Sequence, residues 1–167
     1  FESGITAVKR AKFDFEGCWA AVSGVTTATM NTKSKVRAVL PFAWSYLRDL
    51  DYNGFFAVPV TDLAVPGYSS VISSPMDLSV IRLKMTKKYK TVSDFDRDVR
   101  LMLANCAEYN KFDPTGPVFG AGRKLESAWR AVRGPLEKMV SGSYKPGARV
   151  SAAAGAADGA DGGADGG

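Results

Sequence analysis

Four stretches of the chain repeat their apolar residues at intervals of three and four, and a long apolar stretch between the first two has no period. The first runs over roughly residues 36–50, VRAVLPFAWSYLRDL, where Val39, Phe42, Tyr46, Leu47 and Leu50 form a helical stripe. Pro41 lies inside it, so this helix is expected to open near Pro41 or to kink there. The aperiodic stretch, residues 53–75, holds three Pro and two Gly and reads as a loop that must pack on something. Loops of this length inside a compact domain usually carry function. Asp77 then caps a short helix, MDLSVIRLKM, with Leu78, Ile81 and Met85 turned inward.

A third helix begins near Thr91-Val92-Ser93-Asp94, with Ser93 the expected N-cap and with Asp94 and Asp96 suited to the positive end of the dipole. Phe95, Val99, Met102, Cys106 and Tyr109 continue one buried stripe to its end at Asn110. A fourth helix, about 117–139, presents Val118, Ala121, Leu125, Ala128, Trp129, Val132, Leu136 and Met139, with a bend expected at Gly134-Pro135. The expected fold is all-α: a four-helix bundle over residues 32–142 with one long apolar loop folded over its end.

Composition narrows the function. The chain has 167 residues, 46% of them apolar, which suits a single domain with a real core. There is no histidine, which excludes Ser-His-Asp and Cys-His catalysis and every histidine-based metal site. Two cysteines are too few for a disulfide scaffold or a four-cysteine zinc site, so neither metal nor cofactor is expected. No stretch is long and apolar enough for a membrane span, and no membrane partner is expected. The chain begins with Phe1 and shows no signal-peptide pattern, and reads as part of a longer protein.

Charge is uneven. The last 17 residues carry three of the 17 acidic side chains and no basic one, leaving 22 basic against 14 acidic, a net +8, in residues 1–150. A weak nucleic-acid contact through this basic surface is one expectation, and ordinary solvated Lys and Arg is the other. Residues 143–167, rich in Ala, Gly and Asp, are expected to be disordered. Residues 1–31 contain Phe13, Phe15 and Trp19, too apolar for a free linker; they either pack on the bundle or belong to a neighbouring domain.

The sequence PVTDLAVPGYSSVISSPMDLSVIRLKM, followed about 30 residues later by NCAEYN at a helix end, closely resembles a bromodomain, the acetyl-lysine-binding module. The resemblance covers about residues 36–140. It implies a left-handed bundle of helices Z, A, B and C, with the ZA loop forming one pocket wall. It implies a non-catalytic reader of acetylated lysine, with histone tails as partners, acting as a monomeric domain of a larger nuclear protein linked to chromatin or transcription. An interaction scaffold that keeps the fold without the ligand, and the reader part of an acetyltransferase, are the alternatives.

Residue by residue, Asn110 matches the family's ligand-binding asparagine, and Tyr68 the tyrosine whose hydroxyl holds a water bridging to the acetyl carbonyl. Val60, Leu63 and Val65 would line the ZA wall, Phe56 would floor the methyl end, and Tyr109 would pack beside the pocket. Val118 matches the gatekeeper, with Phe119 the alternative. The chemistry suits such a ligand: acetylation removes the lysine's charge, and a neutral amide on a short side chain can donate to its carbonyl without preferring an ammonium. Asn110 read as a left-handed C-cap is the plain structural alternative. Asn105, five residues earlier and about 140° around the helix, is expected to tie the ZA loop backbone down instead. The family's Trp-Pro-Phe shelf reads Gly54-Phe55-Phe56 here, and Ser69 replaces the second Tyr of a usual pair.

Overall fold

The computed structural model describes residues 11–24 and 29–147, and all of its regular structure is helical. The helices are α1 (Phe15–Ser23), α2 (Thr32–Leu50), α3 (Tyr68–Val71), α4 (Leu78–Lys87), α5 (Val92–Tyr109) and α6 (Pro117–Ser141). Helices α2, α4, α5 and α6 form the bundle, and the one-turn α3 interrupts the long loop between α2 and α4.

Cross-helix bonds set the directions. Trp44 Nε1 donates to the Leu78 carbonyl at 2.7 Å, while Arg37 Nη2 reaches the Thr86 carbonyl at 3.3 Å, so α2 and α4 run antiparallel. The Lys84–Asp98 pair at 2.8 Å joins the end of α4 to the start of α5. On α6, Trp129 Nε1 donates to Asp96 at 2.8 Å, while Val118 lies beside Cys106. The α2–α4 loop and the α5–α6 loop therefore share one end of an up-down-up-down bundle. The start of α2 and the α4–α5 turn share the other.

Each helix begins where side-chain chemistry lets it. Asn31 caps α2 by accepting the Ser34 N–H at 2.9 Å, and Asp77 caps α4 through the Ser79 and Val80 N–H groups. The cap of helix α5 lies two residues before the expected one. Thr91, not Ser93, is the N-cap, and with Asp94 it closes a reciprocal capping box. Pro41 neither opens nor ends α2, which starts at Thr32 and continues to Leu50. Helix α6 likewise passes through Gly134-Pro135 to Ser141.

The apolar stripe of α2 is wider than one bundle face needs. Val36, Val39, Leu40, Ala43 and Leu47 are buried in the core, whereas Phe42 and Tyr46 are half-buried. The second face is covered by α1 and the segment before it. Phe13 meets Tyr46 edge-on at 5.6 Å, Trp19 packs on Tyr144 at 5.2 Å, and Cys18 is fully buried, its thiol pushed up to about 12 by desolvation and then by Asp14. Residues 11–24 thus pack on the bundle, which resolves that half of the N-terminal question. Residues 1–10, 25–28 and 148–167 lie outside the described residues, whereas Ser143 and Tyr144, at the start of the segment expected to be disordered, are held by the Lys138 carbonyl and by Trp19.

One buried carboxylate ties α5 to α6. Asp96 accepts from Trp129 Nε1, from Arg100 Nε at 3.0 Å and from Arg133 Nη1 at 3.2 Å. Replacing it orphans a buried indole N–H and leaves the Arg100 guanidinium without its anion, while Arg133 keeps Glu137. Asp96→Ala is expected to cost about 2–4 kcal/mol in chemical denaturation. Arg130→Ala, which loses only the exposed pair with Glu126, is expected to cost under about 0.5 kcal/mol.

Candidate functional site

The chain leaves α2 through Asp51, which is 7% exposed although it carries a carboxylate. Its two oxygens accept the N–H groups of Phe55 at 2.9 Å and Phe56 at 2.8 Å. Burial raises its pKa, against the lowering effect of those two bonds. Gly54, between them, has φ +71°, a left-handed conformation that a tryptophan would adopt only with strain, so the replaced shelf position is a backbone feature as well as a side-chain one. The Phe56 carbonyl then accepts the Leu78 N–H at 2.8 Å, locking the loop's entry to the start of α4.

Phe56 so held is 6% exposed and points at the α5–α6 junction. A Cβ built on Gly122 would lie 3.6 Å from Phe56 Cζ and 2.9 Å from Cys106 Sγ. Phe56, Cys106 and Gly122 therefore meet in one apolar floor, and Gly122 admits the other two by having no side chain. Desolvation raises the Cys106 pKa, so the floor contains a neutral thiol.

The two asparagines at the end of α5 separate as expected. Asn105 is buried, and its Nδ2 donates to the Ser74 carbonyl at 2.8 Å, tying the long loop to α5. Asn110 is the C-cap residue of α5, but with φ −98° and ψ 16° it is not left-handed, so that alternative falls. The Cys106 carbonyl accepts both the Asn110 backbone N–H at 3.1 Å and its side-chain Nδ2 at 2.8 Å. A carbonyl can only face the nitrogen side of an amide, so this contact sets the amide's orientation. The same Nδ2 also lies 3.9 Å from Cys106 Sγ, a long and weak contact beside the short bond to the carbonyl.

Tyr68 and Tyr109 stand beside this amide, their rings 5.1 Å apart. Tyr109 donates to the Pro66 carbonyl at 3.2 Å and so holds the loop over the bundle end. Tyr68 is 8% exposed, yet no described residue bonds its hydroxyl. No buried side-chain oxygen or nitrogen among the described residues lacks a partner, so this hydroxyl is open to water. Gly67, at φ +79°, turns the chain into Tyr68.

Val60 and Val65 are half-buried in the loop, and Val118 and Phe119 are half-buried in the first turn of α6. Leu63 departs from expectation. It is 97% exposed and contributes no packed wall. The reason is local: Val65 N–H closes a turn on the Thr61 carbonyl at 2.8 Å, and Asp62 accepts both the N–H and the hydroxyl of Ser69. That clasp fixes the exposed turn through Asp62 and Ser69, and Leu63 beside it stays in solvent. Sequence reasoning passed over Asp51, Gly122 and Ser69 as contributors, although Gly122 interrupts an apolar stripe, which is the signal of a close approach.

Residues 41–118 match the family model described as Bromodomain. Among curated proteins, the chain is 34% identical over 115 residues to Bromodomain-containing protein 9 of Homo sapiens, covering 65% of this chain and 19% of that protein. It is 36% identical over 99 residues to the protein of the same name from Xenopus laevis, covering 59% and 19%. It is 36% identical over 107 residues to the SWR1 complex bromodomain subunit bdf1 of Schizosaccharomyces pombe, covering 59% and 18%. The chain thus spans under a fifth of the length of these relatives.

Two substitutions check how the site is held. Asn105→Ala is expected to cost about 1–3 kcal/mol, because the Ser74 carbonyl loses a buried donor, and to speed amide exchange around residues 72–76. Gly120 and Gly122, two residues apart, lie on different faces of α6: a Cβ on Gly120 meets nothing within 4 Å, whereas one on Gly122 meets Cys106. Gly120→Ala is expected to stabilise by about 0.5–1 kcal/mol. Gly122→Ala is expected to fall below it by about 1–3 kcal/mol in thermal or chemical melts.

Proposed function

This chain carries a bromodomain, matched over residues 41–118, and we propose that it reads acetylated lysine on histone tails without catalysing a reaction. The observation that supports this reading is the Asn110 amide, oriented by the Cys106 carbonyl at 2.8 Å and otherwise engaged only by a weak 3.9 Å contact with Cys106 Sγ, which a ligand carbonyl would replace. Around it lie Phe56, Tyr68, Tyr109 and Val118, with the Tyr68 hydroxyl open to water. An ammonium entering this surround would be desolvated with no facing carboxylate, whereas an acetamide loses little. Val60 and Val65 line the loop side, and Leu63 is a rim residue that a bound peptide would cover.

Charge at this end suits a basic tail. Residues 51–77 contain three Asp and no Lys or Arg, and residues 105–117 contain Glu108 and Asp113 against Lys111. The relative named as a subunit of the SWR1 complex favours a chromatin setting and hence a nuclear one. The domain acts as a monomeric module of a larger protein. Its affinity is modest: about 100–150 Å² of apolar area gives roughly 3 kcal/mol, and one or two hydrogen bonds add about 1–3 kcal/mol. The sum corresponds to a Kd of order 0.1–1 mM.

Calorimetric titration with acetylated and unmodified histone-tail peptides tests the reading. Preference for the acetylated form is expected, and equal binding of both, or of neither, would overturn it in favour of a scaffold. Asn110→Ala is expected to weaken acetylated-peptide binding about tenfold, at a stability cost of about 0.5–1 kcal/mol, since the backbone N–H still holds the Cys106 carbonyl. Val118→Trp is expected to block the mouth while leaving the melting temperature within a few degrees of the parent chain. A large drop would place Val118 in the core instead.

A further inference from the structure

We infer that the end of the bundle opposite Asn110 is a docking surface for the phosphate backbone of duplex DNA. This goes beyond the acetyl-lysine reading and does not depend on it. Residues 31–38 hold Lys33, Lys35 and Arg37, and residues 84–91 hold Lys84, Lys87, Lys88 and Lys90, with no acidic side chain in either segment. The two segments are neighbours in space, because Arg37 on α2 bonds the Thr86 carbonyl at the end of α4. Lys33 and Arg37 are four residues apart on one face of α2, and both are exposed, as are Lys87, Lys88 and Lys90.

These five cations have no carboxylate partner among the described residues. Lys84 is paired with Asp98. The acidic group nearest the turn, Asp94, is already committed to the Lys90 and Thr91 N–H groups and to Arg97. Nor do the lysines of α2 serve their helix. Its first turn holds no acidic residue, and cations near the positive end of a helix dipole oppose it. Opposite signs therefore occupy the two ends of a bundle about 28 Å long.

The kind of anion follows from what this end lacks. Single-stranded nucleic acid is held by exposed aromatic rings that stack on bases. Here Tyr89 is 2% exposed and bonded to Asp98, and the exposed aromatics Tyr52 and Phe112 lie in the loops of the other end. The surface is formed by a helix start and a turn and carries long, exposed cations on both. That fits phosphates contacted without sequence readout.

Anisotropy titration of the 167-residue chain with a labelled 20-base-pair duplex, at several salt concentrations, tests this. Expected is a log–log salt slope of about −3 to −5, near −0.9 per phosphate contacted. The triple variant Lys87→Ala, Lys88→Ala, Lys90→Ala is expected to bind at least tenfold more weakly, with a slope shallower by about 2–3. Its melting temperature and its acetylated-peptide affinity should match the parent chain. Conversely, Asn110→Ala should leave duplex binding unchanged, which keeps failure of one reading distinct from failure of the other. Absent duplex binding, an unaffected triple variant, or an equal loss on Arg123→Ala, Lys124→Ala would overturn the inference. So would tighter binding of a single strand or of a Glu-rich peptide of equal charge.

Discussion

Everything at the recognition end depends on how a long aperiodic loop satisfies its backbone. Residues 52–76 make only one helical turn of their own, yet they cover an apolar bundle end where unpaired N–H and C=O groups are costly. The solution is a set of side chains borrowed from the helices. Asp51 takes two N–H groups at the loop's start, Asn105 gives a donor to Ser74 near its finish, and Tyr109 reaches Pro66 between them. Two of these three anchors come from the last turns of α5. The helix that presents Asn110 is therefore the helix that fastens the wall facing it, and wall and amide are positioned by one rigid element.

This coupling explains the division of labour between two chemically identical side chains. Asn105 spends its donor on a buried carbonyl and gains rigidity. Asn110 spends its short bond on its own helix, at the Cys106 carbonyl, and beyond it has only a weak 3.9 Å contact with Cys106 Sγ. The difference is set by helical phase, since five residues carry the second amide about 140° away from the first. The same phase argument places Cys106 beneath Asn110, where its carbonyl orients the amide and its thiol meets the floor at Gly122.

Much of this was legible from the sequence. The four bundle helices follow from the three-four spacing, and the roles of Asn105 and the Asp77 cap follow from residue type at a helix end. Other features were not legible, for physical reasons. Thr91 and Ser93 are both good caps with an Asp three residues on, and the role falls to Thr91 because Asp94 returns its bond while Asp96 is held by Trp129 and Arg133. The α2 stripe was centred on Phe42 and Tyr46 because periodicity reports apolar width without saying that α1 covers part of it. Asp96 looked like a dipole residue, and its true partners lie more than 30 residues away on α6. Leu63 was misplaced because its orientation depends on the Asp62–Ser69 clasp, a long-range pairing that composition cannot show.

The uneven charge has a simple consequence for how the two ends can work. Recognition of acetyl-lysine is neutral chemistry, so the binding pocket itself gains nothing from net charge and would be indifferent to salt. Long-range attraction must then come from elsewhere on the molecule, and at physiological ionic strength it acts over only about 8 Å. A cation cluster set among the loops would repel a basic tail at that range. Placing the carboxylates at the loop end and the unpaired lysines a bundle length away separates the two fields by more than three screening lengths. Each end can therefore attract a partner of opposite sign without weakening the other. On the proposed reading, a short-range neutral contact near Asn110 is left to decide which lysine is held.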